Sequence, residues 1–316
     1  LSYSIAMVTT TEPTNWFGYL MGLVSSATFG LIPLLSVPLL SSGIPVSTVL
    51  MYRFLIATLL VGGVTIARGE SLRISLRSFL ILLALSVSYF FSSLLLLEGY
   101  RYMPTGVATV IHFSYPTFVV LLLFLLFRQR IQFLQGLAVL LSLGGVSLIS
   151  GAFESEVTAI SAQALIIVLL SGFCYATYII ILNHSGIEPM SSVKLTTYVL
   201  GLSAVLFAIY GGAMGQLSVL EGTQWLYVFL LALIPTVCSN LTFVWAVQRI
   251  GSTPSAIMGA LEPLTAVIVG ALALGEELSA GQELGIVIVL IAVLLLVLSP
   301  FISHCLKRVW SLIVDR

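Results

Sequence analysis

Residues 104–127 read PTGVATVIHFSYPTFVVLLLFLLF, and residues 254–274 read PSAIMGALEPLTAVIVGALAL. Each run is long enough for a helix to cross a hydrocarbon core of about 30 Å, which takes about 20 apolar residues. The apolar stretches are continuous and do not alternate, so they are helices and not barrel strands. Each run nevertheless carries one ionisable side chain at depth, His112 or Glu262, ahead of a proline, Pro116 or Pro263. A shift of about 147 residues lays Pro116 on Pro263. Two such runs in one register point to a membrane protein built twice.

The rest of the chain follows the same plan. Ten spans can be drawn, at 16–40, 46–67, 78–97, 104–127, 131–150, 160–182, 192–214, 223–247, 254–274 and 280–301. The 147-residue shift also lays Gln135 on Gln282 and 97–102 on 244–249, and Phe29-Gly30 falls on Tyr175-Ala176 at nearly the same offset. Five spans per half is an odd number, so equivalent helices cross in opposite directions. The loops agree: Arg128-Gln129-Arg130 in one half corresponds to Gly275-Glu276-Glu277 in the other.

With the N-terminus inside, ten basic residues are cytoplasmic: Arg68, Arg73, Arg77, Arg128, Arg130, Lys194, Arg249, Lys307, Arg308 and Arg316. Only Arg101 falls outside, beside the acidic Glu98, Glu154, Glu156, Glu221, Glu276 and Glu277. Basic residues collect on the cytoplasmic side of membrane proteins, so both termini are expected there. The expected fold is therefore all-α and integral to the membrane, with ten transmembrane helices arranged as two inverted five-helix repeats. Its parts are an N-terminal cytoplasmic segment 1–15, a first repeat 16–150, an external linker 151–159, a second repeat 160–301 and a basic cytoplasmic tail 302–316.

Composition excludes most other classes. Of 316 residues, 59% are apolar and 8% charged, with 12 basic and 12 acidic side chains. Soluble domains carry about 25% charged residues; the mean hydropathy of +1.16 belongs to a lipid-embedded chain. The one aspartate is Asp315, which removes paired-Asp chemistry. Neither Lys194 nor Lys307 ends a P-loop. Cys174, Cys238 and Cys305 have no CxxC spacing, and HExxH, DDxxD and GxSxG are absent. No enzyme, cofactor or metal is expected, and zero net charge gives no sign of nucleic acid. Residues 1–15 lack a basic region ahead of an apolar one, so no cleavable signal is expected.

Ten spans in two halves, with Met51-Tyr52-Arg53-Phe54-Leu55, Tyr115-Pro116-Thr117, Leu261-Glu262-Pro263-Leu264-Thr265-Ala266-Val267, Leu274-Gly275-Glu276, Gln282 and Gly285 in that order, resemble the drug/metabolite transporter superfamily, EamA type. The resemblance covers roughly residues 16–300. It implies a multi-pass protein of the cell membrane, of the bacterial inner-membrane kind, that exports or exchanges small metabolites by alternating access without ATP. Arg128-Gln129-Arg130 stands where the family pattern has Gly-Glu, which reads as a consequence of topology.

Ionisable groups inside a membrane cost about 2.5–3.5 kcal/mol each on insertion scales, so they are functional candidates by default. At roughly 1.5 Å per residue, Glu262 and His112 lie about 12 Å, and Arg53 about 10 Å, from their nearer span ends. All three bracket the midplane. Glu262 suits an ammonium group or a proton, Arg53 is a counter-ion for a substrate carboxylate or for Glu262, and His112 titrates near neutral pH when unperturbed. Each also has a structural reading: a hydrogen-bonded Glu, an Arg that snorkels or sits in a static ion pair, a buried neutral His. Ser88, Tyr89, Ser92, Tyr115, Tyr175, Tyr178 and Asn240 surround the trio and would suit an amphipathic solute. The expected partners are a small-molecule substrate, membrane lipid and protons, with a monomer workable and a dimer compatible. The expected function is a secondary active exporter of amino acids or amphipathic solutes; an uncoupled facilitator or exchanger is the alternative. Pro33, Pro38, Pro116, Pro235 and Pro263 are predicted kinks.

Overall fold

Continuous apolar runs leave the backbone one way to satisfy its N–H and C=O groups without water, which is to hydrogen-bond within each segment. The computed structural model, which describes residues 16–150, 160–187, 190–250, 255, 258, 259 and 261–314, follows that rule. No strand occurs among the described residues. The helices are α1 (Trp16–Phe29), α2 (Ile32–Ser41), α3 (Val46–Ala67), α4 (Leu76–Gly99), α5 (Thr105–His112), α6 (Tyr115–Phe127) and α7 (Phe133–Ile149). Then come α8 (Ala162–His184), α9 (Ser192–Ala213), α10 (Thr223–Ala232), a π-helical turn (Leu233–Cys238), α11 (Ser239–Ile250), α12 (Leu261–Ala273) and α13 (Ala280–Val314).

Eight of the resulting segments are long and apolar enough to cross a membrane; α7 and α12 are shorter apolar helices. The residues 1–15, the linker 151–159 with Glu154 and Glu156, Pro254, Asp315 and Arg316 lie outside the described residues. Helix α13 does not stop at 301 but runs unbroken to Val314, 35 residues in all.

Prolines mark the breaks. The first span divides at Gly30 and Leu31, and Pro33 enters the first turn of α2, where its missing N–H costs nothing. The fourth divides at Phe113 and Ser114, with Pro116 in the first turn of α6. Pro38 lies inside α2. Pro235 lies inside the π-turn of the eighth span.

The outside of the bundle is apolar, and polar side chains are held inside it alongside an apolar core. Leu59, Leu125, Ile209 and Leu272 are exposed, whereas Ser36, Ser86, Ser171, Ser203 and Ser239 are fully buried. Small residues and hydroxyls join the helices, as expected where lipid is as apolar as the side chains. Ser25 and Ser239 exchange hydroxyl-to-carbonyl bonds of 2.9 and 2.8 Å between α1 and α11. A Cβ on Gly285 would stand 2.6 Å from the Gly145 carbonyl oxygen, so α7 and α13 touch backbone to backbone.

Helix pairing is reciprocal. The main partners are α3 with α9, α7 with α13, α4 with α8, α1 with α11 and α5 with α12. Thr48 bonds to Gln216 and Thr65 to Thr197, so α3 and α9 run antiparallel. Loops bearing Arg68, Arg73, Arg128 and Arg130 gather at one end of the bundle with Arg77 at the start of α4 and Lys194 in α9; Glu98, Glu221, Glu276 and Glu277 lie at the other. We call these the basic and acidic ends.

Candidate functional site

A cavity of about 150 Å³ lies where the broken spans meet the middle of the bundle. Its wall includes Arg53 from α3, Tyr89 from α4, His112 at the end of α5 and Tyr115 at the start of α6. Tyr175 and Tyr178 come from α8, Asn240 from α11 and Glu262 from α12. All eight residues singled out in the sequence therefore share one cavity. Ser92 joins them, and so do Ser93 and Thr196, which sequence reasoning passed over. Ser88 does not: its hydroxyl donates to the Ala84 carbonyl one turn back, 3.1 Å away.

Local winding explains how the polar groups are presented. Proline at 235 has no N–H to give the carbonyl of Leu231, four residues earlier. The Thr236 hydroxyl donates to that carbonyl instead, at 3.0 Å, and the segment winds as a π-helix. With its proton committed, the Thr236 oxygen accepts from Arg53 Nε at 2.9 Å. Asn240 Nδ2 donates to the Thr236 carbonyl at 2.5 Å, securing the same turn. Arg53 is thus 3% exposed, and its Nε is occupied by a neutral partner. π-turns inside helices are frequent at functional sites.

His112 is held from the other side. Ser171 donates to the Val168 carbonyl at 2.7 Å, so at 2.8 Å from His112 Nδ1 the same hydroxyl acts as acceptor. That assigns the ring proton to Nδ1 and leaves Nε2 an acceptor. Gly172 makes the arrangement feasible, because a Cβ there would lie 2.9 Å from the His112 carbonyl oxygen.

Glu262 makes no hydrogen bond and no ion pair with the described residues; among them the only salt bridge is Arg101–Glu98, at 3.3 Å. Glu262 and Arg53 line the same cavity and form no ion pair with each other. Four tyrosines, Tyr89, Tyr115, Tyr175 and Tyr178, line the same cavity. Tyr175 and Tyr178 are stacked at 5.8 Å with planes 11° apart. Tyr115 meets Tyr175 edge-on at 4.7 Å, and Tyr89 lies 5.7 Å from Tyr178. A cation fork, a lone carboxylate and aromatic faces line one chamber, which can hold a solute with two charged ends and a flat or apolar body.

At the acidic end, Glu276 accepts from the backbone N–H of Thr105 at 2.7 Å and of Gly106 at 3.3 Å. A carboxylate there complements the positive end of α5. It ties the loop after α12 to the start of the fourth span. The sequence marked Glu276 as part of an acidic loop and of the Leu274-Gly275-Glu276 motif, without giving it this tie.

The EamA-like transporter family description matches this chain twice, over residues 16–151 and 162–298. An uncharacterized transporter of Bacillus subtilis, YcbK, is 26% identical over 203 residues, covering 62% of this chain and 65% of its own length. The alignment thus spans slightly less than two thirds of that relative. An uncharacterized transporter of Archaeoglobus fulgidus is 25% identical over 214 residues, 68% of this chain and 75% of its own. A solved crystal structure superimposes with a TM-score of 0.64 over 92% of this chain and 98% of that one, at 15% identity, which speaks to the fold alone.

Proposed function

The chain belongs to the EamA-like transporter family, and from that premise we propose that it is a secondary active exporter of amino acids or similar amphipathic solutes. The family and the names of its relatives point to a transporter and not to an enzyme. The single observation that carries the finer reading is the cavity in which Arg53, Glu262 and four tyrosines face one another. Arg53 receives the solute's carboxylate in a two-pronged contact. Glu262 receives its ammonium group, or a proton when the solute is absent. Tyr89, Tyr115, Tyr175 and Tyr178 pack against the body, and Asn240 holds the turn behind Arg53.

The mechanism proposed is alternating access between two inverted five-helix halves, residues 16–150 and 160–301. Support comes from the twofold family match and from the reciprocal pairing. In a ten-span numbering, exchange of the halves maps 2 with 7, 4 with 9 and 5 with 10 onto themselves, and 3 with 6 onto 8 with 1. Such an arrangement lets two halves adopt each other's conformations, giving states open to either face. The basic end is assigned to the cytoplasm by the positive-inside rule, with both termini on that side and a monomer as the working unit.

Proteoliposomes test the reading. Amino-acid uptake should respond to a pH gradient in the wild type, and Glu262→Gln should abolish that response while leaving counterflow. Arg53→Ala should cut uptake of carboxylate-bearing solutes by roughly 30-fold or more, as for loss of one partner of a desolvated charge pair. Uptake unaffected by either substitution would remove the site assignment.

A further inference from the structure

We infer that Thr236 is a positioning residue that holds the Arg53 guanidinium away from Glu262, so that the two charged poles remain separate until a solute joins them. This inference rests on the proposed transport site and adds to it a coupling rule. Pro235 leaves the Leu231 carbonyl without its helical donor, and Thr236 fills that role with its only proton. The hydroxyl oxygen is then obliged to act as acceptor, and Arg53 Nε is the donor that it meets. Both residues are buried, Thr236 at 1% exposure and Arg53 at 3%, so water does not compete for the bond.

The tether uses one of the five guanidinium N–H groups. The Nη groups make no hydrogen bond or ion pair with the described residues, and Arg53 lines the cavity into which Glu262 also points. An arginine and a glutamate in one low-dielectric chamber attract strongly. Their separation therefore has a structural cause, and the Thr236 bond supplies it.

The consequence concerns the empty protein. Closing the chamber over two separated charges is costly, because neither gains an opposite charge in place of the water that the chamber gives up. A solute with a carboxylate and an ammonium group neutralises both at once. Return of the empty protein is thus slow relative to return of the loaded one, and exchange outruns net flux. Protonation of Glu262 relieves half of that cost and leaves Arg53 uncompensated.

Thr236→Val keeps the branched shape and removes the hydroxyl; Thr236→Ser keeps the hydroxyl. Modification of Glu262 by a hydrophobic carbodiimide, read by mass spectrometry, reports on the carboxyl without any solute. Labelling is expected in the wild type and in Thr236→Ser, and should fall several-fold in Thr236→Val, where Arg53 is free to pair with Glu262. In proteoliposomes Thr236→Val should also weaken apparent affinity for a zwitterionic amino acid about tenfold, the worth of one hydrogen bond to a charged group. Its ratio of exchange to net flux should fall as well. Failure of the wild type to label, or equal labelling in all three proteins, overturns the tether. If the labelling pattern holds and no amino acid is exchanged, the tether stands and the assigned solute class is wrong.

Discussion

The α3–α9 pair and the α5/α6–α12 pair both cross the bundle beside the cavity, yet they are built on opposite principles. Helices α3 and α9 are unbroken, 22 residues each. They are fastened at both ends. At the acidic end Thr48 donates to the Gln216 carbonyl at 2.7 Å and accepts from the Ser218 N–H at 3.1 Å. At the basic end Thr65 meets Thr197 at 3.0 Å, Lys194 donates to the Arg73 carbonyl at 3.0 Å and Ser191 donates to Glu70 at 2.5 Å.

The other pair is interrupted at the midplane between His112 and Tyr115 and tied at the acidic end by Glu276. By the 147-residue shift the counterpart of Glu276 is Gln129. Among the described residues the Gln129 side chain makes no hydrogen bond; its backbone N–H closes onto Leu123 at 3.2 Å, past Arg128 in a left-handed conformation with φ 53°. Among the described residues the first pair is fastened by hydrogen bonds at both ends and the second by Glu276 at the acidic end, which suits the first to serve as a frame and the second as a moving part.

Cross-links separate those roles most sharply. In a background without Cys174, Cys238 and Cys305, paired cysteines at Thr48 and Ser218 should leave transport intact when joined by a short thiol cross-linker. Cysteines at Thr105 and Glu276 should stop transport when joined, with recovery on cleavage. Equal inhibition by both would erase the distinction. The smallest effect belongs to the frame itself. Thr48→Val removes one buried hydroxyl and should cost about 1 kcal/mol, seen as a modestly lower melting temperature in detergent with an unchanged transport rate. A large loss of transport would place the frame among the moving parts.

The cavity residues were legible because a membrane leaves polar side chains so few destinations. Arg53, His112 and Glu262 sit in apolar spans where lipid cannot solvate them, so they must face the interior. Tyr89, Tyr115, Tyr175, Tyr178 and Asn240 followed from proximity in depth, and all line the same chamber. Serine is less telling, since its hydroxyl can bond to its own helix, and Ser88 does.

Proline positions located the breaks near Pro33 and Pro116, but not the form that each would take. That Pro235 yields a π-turn depends on Thr236 having both a carbonyl to satisfy and an arginine to receive. No periodicity encodes such a pairing across 183 residues of sequence. The role of Glu276 was hidden for a similar reason: its partners are backbone N–H groups, which every residue but proline possesses. The segment 68–75, basic in sequence, is fastened as a loop to the start of α9 through Glu70 and Arg73.

Access to the chamber from each side of the membrane tests the central claim most directly. Ser92, on the cavity wall, is replaced by cysteine in the background without native cysteines, and a membrane-impermeant maleimide is applied to right-side-out and to inside-out vesicles. Labelling is expected from both faces, slowed by saturating solute in each case and abolished from the acidic face by the Thr105–Glu276 cross-link. Labelling from one face alone, under all solute and pH conditions, would contradict alternating access.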